Sequence, residues 1–335
     1  MSKKTSIGGQ ALIEGIMMKG PERTVIAVRT PEKNIDLEDV QEKHLKDKYK
    51  FFGLPVIRGI VAFAESMLMG YKALMISADK SGMSDLEEEE KQKKKRKKQE
   101  GKVALEETAS EPDQNKKENS ILMGAVMVVG SVLGVALSVF LFMYIPALIF
   151  DGINYFSGEK LSETLRPLFE GVLKICIFVG YVAAVSMMKD IKRVFMYHGA
   201  EHKSIFCYEK GLALTVENVK LQKRFHPRCG TSFLILMLVV GILINLLIVT
   251  LFPTVTNFRI LWVVVKVLML PFICGLGYEL IRICGRYDNW ITKIISAPGM
   301  WVQRLTTKEP EDDMLEVAIA ALTAVIPEDA EKDRW

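Results

Sequence analysis

Histidine and cysteine are scarce in this sequence, which has four histidines and five cysteines in 335 residues. An odd number of cysteines, spread over apolar segments and one polar loop, excludes a disulfide-stabilised secreted scaffold. The first residues lack the apolar stretch of a signal peptide. The glycine-rich N-terminal segment matches neither the P-loop nor the Rossmann fingerprint, and no feature indicates specific binding of nucleic acid.

Apolar residues are abundant and are separated from charged ones along the chain. Half of the residues are hydrophobic and a quarter are charged, and the mean hydropathy is +0.20. A single soluble globule rarely combines these values, so the composition predicts an integral membrane protein with cytosolic parts. Crossing the bilayer takes about 20 helical residues, and the sequence has four clear apolar stretches of this kind: 121–150, 168–188, 231–252 and 260–283.

The distribution of lysine and arginine predicts the orientation of these spans. The loop between the second and third spans is rich in both residues, whereas the loop between the first and second has only Lys160 and Arg166. By the positive-inside rule the basic loop lies in the cytoplasm. With an even number of spans, both termini are then cytoplasmic, and the protein contacts the lipid bilayer as a multi-pass membrane protein.

A fifth apolar segment, 56–78, is long enough to span but carries charges. Arg58, Glu65 and Lys72 recur every seven residues and form a narrow polar stripe on a helix. A carboxylate at the centre of a bilayer costs about 2.5–3.5 kcal/mol. We therefore expect a helix that packs on the N-terminal unit or lies at the membrane face, with a fifth span as the alternative.

The chain divides into four predicted regions. Residues 1–79 form a small strand-rich N-terminal unit plus the apolar helix, in which Gly8-Gly9 and Gly20-Pro21 signal turns and Thr24–Arg29 reads as a strand. Residues 80–120 form a charged, disordered linker. Residues 121–288 hold the four spans, and 289–335 hold an interfacial segment and a C-terminal helix. The predicted fold class is an α-helical integral membrane protein with about four transmembrane helices and a small α+β N-terminal cytosolic unit.

The C-terminal helix is predicted from its periodicity. Leu315, Ala318, Leu322 and Val325 recur at helical spacing before Pro327. The apolar face that they form needs a partner, either within the protein or on another chain.

The histidines supply the main chemical motif. His198 and His202 are four residues apart in an H-x-x-E-H array, with Glu201 beside them, as in the inverted zincins. His226 and Cys229 lie in the same loop, and either could complete a site with three protein ligands and a water. The pattern predicts bound zinc or another divalent metal, with Glu201 as the general base. The alternative is structural: the imidazoles bind carbonyl or lipid head groups, and Glu201 pairs with Lys203 or Arg228.

Three residues of the fourth span carry charge: Lys266, Glu279 and Arg282. Glu279 lies near the cytoplasmic end of the span, on the same membrane face as the histidines, so it is either a metal ligand or an ion-pair partner of Arg282. Lys266 is expected to extend its ammonium group towards the outer membrane surface.

Glu14 is isolated among apolar residues in the glycine-rich segment. It either pairs with Lys19 or Arg23 or faces a site. The alternative for the whole segment is a tight hairpin that needs its glycines.

Five segments together resemble the YqhQ family of bacterial membrane proteins: GGQALIEGIMMKGPE, YHGAEHKSIFCYE, HPRCGTSF, GYELIR and EPEDDMLEVAIAAL. The resemblance is ordered and runs from residue 6 to about 326. It implies a plasma membrane protein of a family described as predicted metal-dependent enzymes, and it supplies no reaction. It points to the residues Glu14, His198, Glu201, His202, His226, Arg228, Cys229 and Glu279.

Two hypotheses of function follow. The first is a metal-dependent hydrolase acting on a membrane-associated substrate, with Glu201 as the catalytic base and His198, His202 and either His226 or Glu279 as ligands. The second is a non-enzymatic subunit of a membrane protein complex, such as the protein translocase or a quality-control complex, because the sequence has several surfaces that need partners. A transporter is disfavoured, since no internal repeat or pair of broken helices is present.

Overall fold

A computed structural model describes residues 4–41, 45, 49–82, 129–130, 132–158, 162–287, 289–329 and 331–333. The linker predicted for 80–120 and the start of the first span lie almost entirely outside these residues. In the described part, most residues are helical, and the strands are confined to the N-terminal region.

The N-terminal strands form one antiparallel sheet in the order β1-β2-β3-β4. Their bounds are β1 Gly8–Leu12, β2 Gly15–Lys19, β3 Thr24–Arg29 and β4 Ile35–Val40. The strand predicted at Thr24–Arg29 is confirmed, and so is the turn at Gly20, whose amide bonds the carbonyl of Arg23. The turn expected at Gly8-Gly9 is wrong, because these two glycines begin β1.

The helices follow in chain order. They are α1 Ile57–Lys80, α2 Val132–Phe156, α3 Arg166–Val185, α4 Lys189–Glu209, α5 Val216–Lys220, α6 Gly230–Leu251, α7 Arg259–Arg286, α8 Trp290–Thr306 and α9 Asp312–Val325. Residues Phe140–Tyr144 of α2 form a π-helical segment. The C-terminal helix predicted before Pro327 is confirmed as α9.

Both faces of the sheet are covered, because successive side chains of a strand point to opposite sides. On one face, Ile16 and Met18 pack in a core with α4 and α9. On the other face, Met17 and Ile26 pack against Ala73 of α1. This explains why the inner residues of β2 and β3, at 16–18 and 25–28, are apolar and do not alternate with polar residues.

The core on the first face joins segments that are far apart in the sequence. It includes Tyr197 and Ala200 of α4 and the apolar side of α9, whose Leu315 and Leu322 are completely buried. The apolar face of α9 therefore finds its partner within the chain. We call this unit, made of β1–β4, α4, α5 and α9, the sheet domain.

Five described helices are long and apolar enough to cross a membrane: α1, α2, α3, α6 and α7. The protein is thus built as a multi-pass membrane protein, and the expected number of about four spans is not exact. Helix α1 is the additional candidate. Its C-terminal half packs on the sheet through Ala73, and its N-terminal half packs on α7, where Gly59 lies against Gly275 and Tyr278.

The spans α3 and α7 are joined by buried charges. Lys266 of α7 is only 3% exposed and forms an ion pair with Glu170 of α3, which also binds Arg166 at 3.0 Å. The expectation that Lys266 reaches the membrane surface is wrong. A buried partner on a neighbouring helix, 96 residues away in sequence, holds its ammonium group within the protein.

The packing of α9 makes a prediction about stability. Replacing the fully buried Leu322 by alanine should leave a cavity in the sheet domain and lower its free energy of unfolding by about 2–5 kcal/mol. The neighbouring Thr323 is exposed, so Thr323→Ala is the matched control. Thermal unfolding of the detergent-purified proteins checks this, and equal melting temperatures for the two variants would contradict the packing described here.

Candidate metal centre

Helix α4 places both histidines of the H-x-x-E-H array on one side. Residues four apart in a helix lie one turn above each other, and the ring centroids of His198 and His202 are 4.4 Å apart. His202 is buried, whereas His198 is partly exposed. The helical geometry that the motif requires is therefore present.

Each imidazole is fixed by a backbone carbonyl from a different part of the chain. Nδ1 of His198 lies 2.9 Å from the carbonyl oxygen of Thr306, at the end of α8. Nδ1 of His202 lies 2.5 Å from the carbonyl oxygen of Arg224, in the loop before α6. A carbonyl accepts, so each Nδ1 carries the proton and donates it. This leaves Nε2 of each ring as the basic nitrogen, an arrangement typical of metal-ligating histidines.

The thiol of Cys229 lies next to the imidazoles of His198 and His202. Its Sγ lies 3.1 Å from Nε2 of His198, and one ligand atom from each of His198, His202 and Cys229 lies within 4.8 Å of the others. Cys229 precedes the first residue of α6, where the partial positive charge of the helix N-terminus favours an anion. These three residues are the group of potential metal ligands in the part of the chain that the structure describes.

Charges within this group are strongly coupled. Burial alone would raise the pKa of the Cys229 thiol, but the imidazoles of His198 and His202 outweigh it and hold that pKa well below its usual value. Burial would lower the pKa of His198, yet the neighbouring thiolate raises it to about 9. A thiolate is the form of cysteine that binds metals.

Glu201 is buried beside the two imidazoles. Burial raises the pKa of its carboxyl group above the usual value, against the opposing effect of the two histidines. The backbone N–H of Gly9, in β1, donates a hydrogen bond to its carboxylate. The pairing of Glu201 with Lys203 or Arg228, considered above, is not found, because Lys203 binds Glu309 and Arg228 binds Glu209.

Two glycines allow the backbone to approach the site closely. A Cβ on Gly9 would lie 2.8 Å from the carbonyl oxygen of Met17 and 3.0 Å from the carboxyl carbon of Glu201. A Cβ on Gly199 would overlap the carbonyl oxygen of Lys308, two residues after the Thr306 carbonyl that orients His198. Gly199 therefore allows the 306–310 segment to pack on α4. The low helix propensity of glycine does not reveal this role.

His226 and Arg228 lie next to the three potential ligands but bind other groups. The ring of His226 is 5.6 Å from that of His202, and its Nε2 is 3.8 Å from the carboxylate of Glu209. Burial lowers the pKa of His226 to about 4, so it is neutral at pH 7. Arg228 bonds Glu209 and donates to the carbonyl oxygen of Thr5, and thereby holds the N-terminal segment.

Glu279 is placed in a separate cluster. Its carboxylate forms a two-pronged ion pair with Arg58 of α1, with N–O distances of 2.7 and 2.5 Å. The partner is therefore not Arg282, which was expected from the helical spacing. The structure does not bring Glu279 together with the histidines, and in its place Cys229 joins them.

Glu14 lies in the turn between β1 and β2, with a positive φ of 48°. Its carboxylate accepts two hydrogen bonds from Arg193 of α4, at 2.5 and 2.6 Å, and one from the hydroxyl of Tyr197 at 3.2 Å. The hairpin reading is confirmed, while the expected partners Lys19 and Arg23 are replaced by Arg193. Glu14 therefore ties the hairpin to α4 and lies outside the group of potential ligands.

The comparisons with known proteins agree with one another. A family model described as "Protein of unknown function (DUF1385)" matches residues 54–328. The chain is 33% identical over 331 residues to the "Uncharacterized protein YqhQ" of Bacillus subtilis (strain 168), which covers 95% of this chain and 92% of that protein. No solved structure matches the chain.

The role of Gly199 can be tested by substitution. Gly199→Ala should displace the 306–310 segment and with it the carbonyl that orients His198. Loss of such a supporting hydrogen bond typically weakens metal binding by about 10–100-fold. Competition with a chromophoric zinc chelator measures the change. Gly180→Ala in α3, where a Cβ meets nothing within 4 Å, is the control and should leave the affinity unchanged. If both variants bind zinc as the parent does, the contact is not needed.

Proposed function

The chain belongs to the DUF1385 family of unknown function, and we propose that it is a membrane metalloenzyme of the hydrolase class, with the ion held by His198, His202 and Cys229. The observation that carries the proposal is the convergence of His198, His202 and Cys229, whose ligand atoms lie within 4.8 Å of one another. Carbonyl hydrogen bonds are also what structural histidines make, but here they occupy both Nδ1 atoms. They leave two basic Nε2 atoms next to one thiolate. Two histidines with a purely structural role would not require a thiolate next to their Nε2 atoms.

The donor set fits zinc or a similar divalent ion. Two imidazole nitrogens and one thiolate are ligands that zinc accepts, and three protein ligands leave one position open, as in catalytic zinc sites. Tetrahedral bonds of about 2.0–2.3 Å place two ligand atoms about 3.5 Å apart. The 3.1 Å between Nε2 of His198 and Sγ of Cys229 therefore requires a small separation of the two side chains when an ion binds. When bound, such an ion lowers the pKa of a coordinated water to about 7.

Glu201 is the proposed general base. Its carboxylate lies beside both imidazoles and is oriented by the N–H of Gly9. Burial raises the pKa of its carboxyl group, which makes the carboxylate a better proton acceptor. The spacing matches the H-x-x-E-H pattern, in which the glutamate takes this role.

The position of the site favours a membrane-associated substrate. Cys229 immediately precedes the apolar helix α6, and Thr306 ends α8. Helix α8 exposes Trp290, Ile294 and Trp301, which is typical of a helix lying at the membrane surface. A peptide or a lipid ester at that surface is the proposed substrate class.

We further propose four spans, with the sheet domain on the cytoplasmic side. The sheet before α1 and helix α4 after α3 share one core, so an even number of crossings must separate them. Of α1, α2 and α3, helix α1 is the one that packs on the sheet. Thr5 and Asp333 also bond each other at 2.5 Å, so both described ends lie on one side. The basic loop between α3 and α6 supports the cytoplasm of a bacterial plasma membrane as that side.

The competing hypothesis is a non-enzymatic subunit of a translocase or quality-control complex. One of the surfaces that suggested external partners is buried within the protein. The apolar face of α9, whose partner could lie within the protein or on another chain, is buried within the sheet domain. Helix α1 packs on the sheet through Ala73, while Leu68 and Tyr71 of the same helix are exposed.

Metal content tests the proposal directly. Protein purified without a histidine tag from metal-replete cells should hold about one zinc, manganese or iron ion per chain, measured by inductively coupled plasma mass spectrometry. His198→Ala/His202→Ala and Cys229→Ala should hold none, because each removes at least one ligand. Cys207→Ala is the matched control, since Cys207 is a buried cysteine outside the group and should not affect the metal.

Glu201 is tested by a change that keeps its shape. Glu201→Gln should retain the metal but lower the hydrolysis of membrane-associated peptides or lipid esters by about 10²–10⁴-fold, the contribution typical of a general base. A folded parent protein without metal would contradict the metal centre, and co-purification of partners would then be the test of the subunit hypothesis. Metal bound equally by the parent and by the double histidine variant would contradict the ligand assignment.

A further inference from the structure

A second polar centre lies inside the membrane helices, far along the chain from the histidines. A cavity of about 260 Å³ lies between α2, α3, α6 and α7. Most of its lining is apolar, and its polar lining residues are Glu170, Lys174, Asn245 and Lys266. Ionisable groups within membrane helices are rare and usually mark a functional site.

Some of these charges balance one another. Glu170 pairs with both Arg166 and Lys266, and Arg166 also binds Asp151 at 2.8 Å. The ammonium group of Lys266 lies over the ring of Trp262, 4.5 Å from its centroid. Lys266 is therefore satisfied by an anion and an aromatic face, and these contacts fix the wall of the cavity between α3 and α7.

Lys174 adds a cation that this network does not balance. It follows Glu170 by one helical turn on α3 and lines the cavity. Among the residues that the structure describes, it has no hydrogen bond and no carboxylate within ion-pair distance. The cluster holds three cations and two anions, so one positive charge is in excess. The cations are Arg166, Lys174 and Lys266, and the anions are Asp151 and Glu170. The cavity therefore favours an anion.

Asn245 gives an independent indication of a ligand. The residue is 9% exposed, and its Nδ2 donates to the carbonyl oxygen of Gly241 at 2.7 Å. Asn245 lines the same cavity, and its Oδ1 is buried and has no hydrogen-bond partner among the described residues. A buried acceptor without a partner is costly, so the missing partner is expected to be a hydroxyl or amine group of a bound molecule.

The rest of the cavity suits a hydrocarbon chain. It extends along α6 from Asn245 to Leu234, which at 1.5 Å per helical residue is about 16 Å. Leu234 and Leu270, which line its apolar part, are 39% and 41% exposed, so this part opens towards the lipid side of the helices. A chain can thus enter from the bilayer with its polar end at the lysines.

We propose that this cavity binds a lipid whose head group is anionic and carries a hydroxyl group. Lys174 pairs with the anion, Oδ1 of Asn245 accepts from the hydroxyl, and the acyl chain lies along Met237, Leu238 and Ile273. A lipid with a quaternary ammonium head group fits less well, because that group has no N–H or O–H to donate to Oδ1 of Asn245 and its positive charge would approach Lys174. The site is separate from the proposed metal centre and does not depend on it.

Native mass spectrometry of the full-length protein in detergent tests this with phosphatidylglycerol, phosphatidylcholine and inorganic phosphate as probes. The parent should retain one phosphatidylglycerol more tightly than phosphatidylcholine. Lys174→Gln should weaken phosphatidylglycerol binding by about tenfold or more, with little change for phosphatidylcholine. Lys192→Gln removes the same charge from an exposed position at the start of α4 and should change neither.

Two further variants address the shape of the cavity and the folding of the protein. Leu238→Trp leaves every charge in place but fills the apolar part, and should abolish lipid retention. Asn245→Leu removes the unpaired oxygen, so it should fold and still lose the preference for phosphatidylglycerol. The proposal is overturned if Lys174→Gln and Asn245→Leu keep the parent's preference, or if inorganic phosphate binds alone as tightly as the lipid.

Discussion

The packing of helix α4 between the sheet and the segment that follows α8 is the constraint on which the candidate site depends. It brings Gly9 to the carboxylate of Glu201 and the carbonyl of Thr306 to His198. Both approaches need glycine, because a Cβ on Gly9 or Gly199 would collide with neighbouring atoms. The ion pair of Glu14 with Arg193 holds the same surfaces together from the other end of the hairpin. The chemistry of the site thus rests on backbone contacts between segments that are distant in sequence.

Local patterns in the sequence predicted the parts of the fold that depend on local order. The strand at Thr24–Arg29, the amphipathic helix through Leu315 and Leu322, and the placing of His198 and His202 on one side of a helix all follow from periodicity. Contacts between segments that are distant in sequence were harder to predict. Glycine signals either a turn or a close approach. Gly9 belongs to a strand and makes a close approach to Met17 and Glu201, whereas a Cβ on Gly8 would meet nothing within 4 Å.

The partners of charged residues were the least predictable feature. Helical spacing suggested Arg282 for Glu279, whereas the tertiary fold supplies Arg58 from α1. The same holds for Lys266, whose partner Glu170 is on another span. Cys229 and His226 were both candidates in the histidine loop, and of the two it is Cys229, at the start of α6, whose side chain contacts Nε2 of His198. Membrane helices amplify such errors, because a buried charge must find a partner and sequence spacing does not say on which helix.

X-ray absorption at the zinc edge of the purified protein identifies the atoms bound to the ion. We expect one sulfur at about 2.3 Å and two imidazole nitrogens at about 2.0–2.1 Å, with the sulfur lost in Cys229→Ser. A shell of nitrogen and oxygen without sulfur would contradict the assignment of Cys229, and with it the geometry on which the proposed enzyme rests.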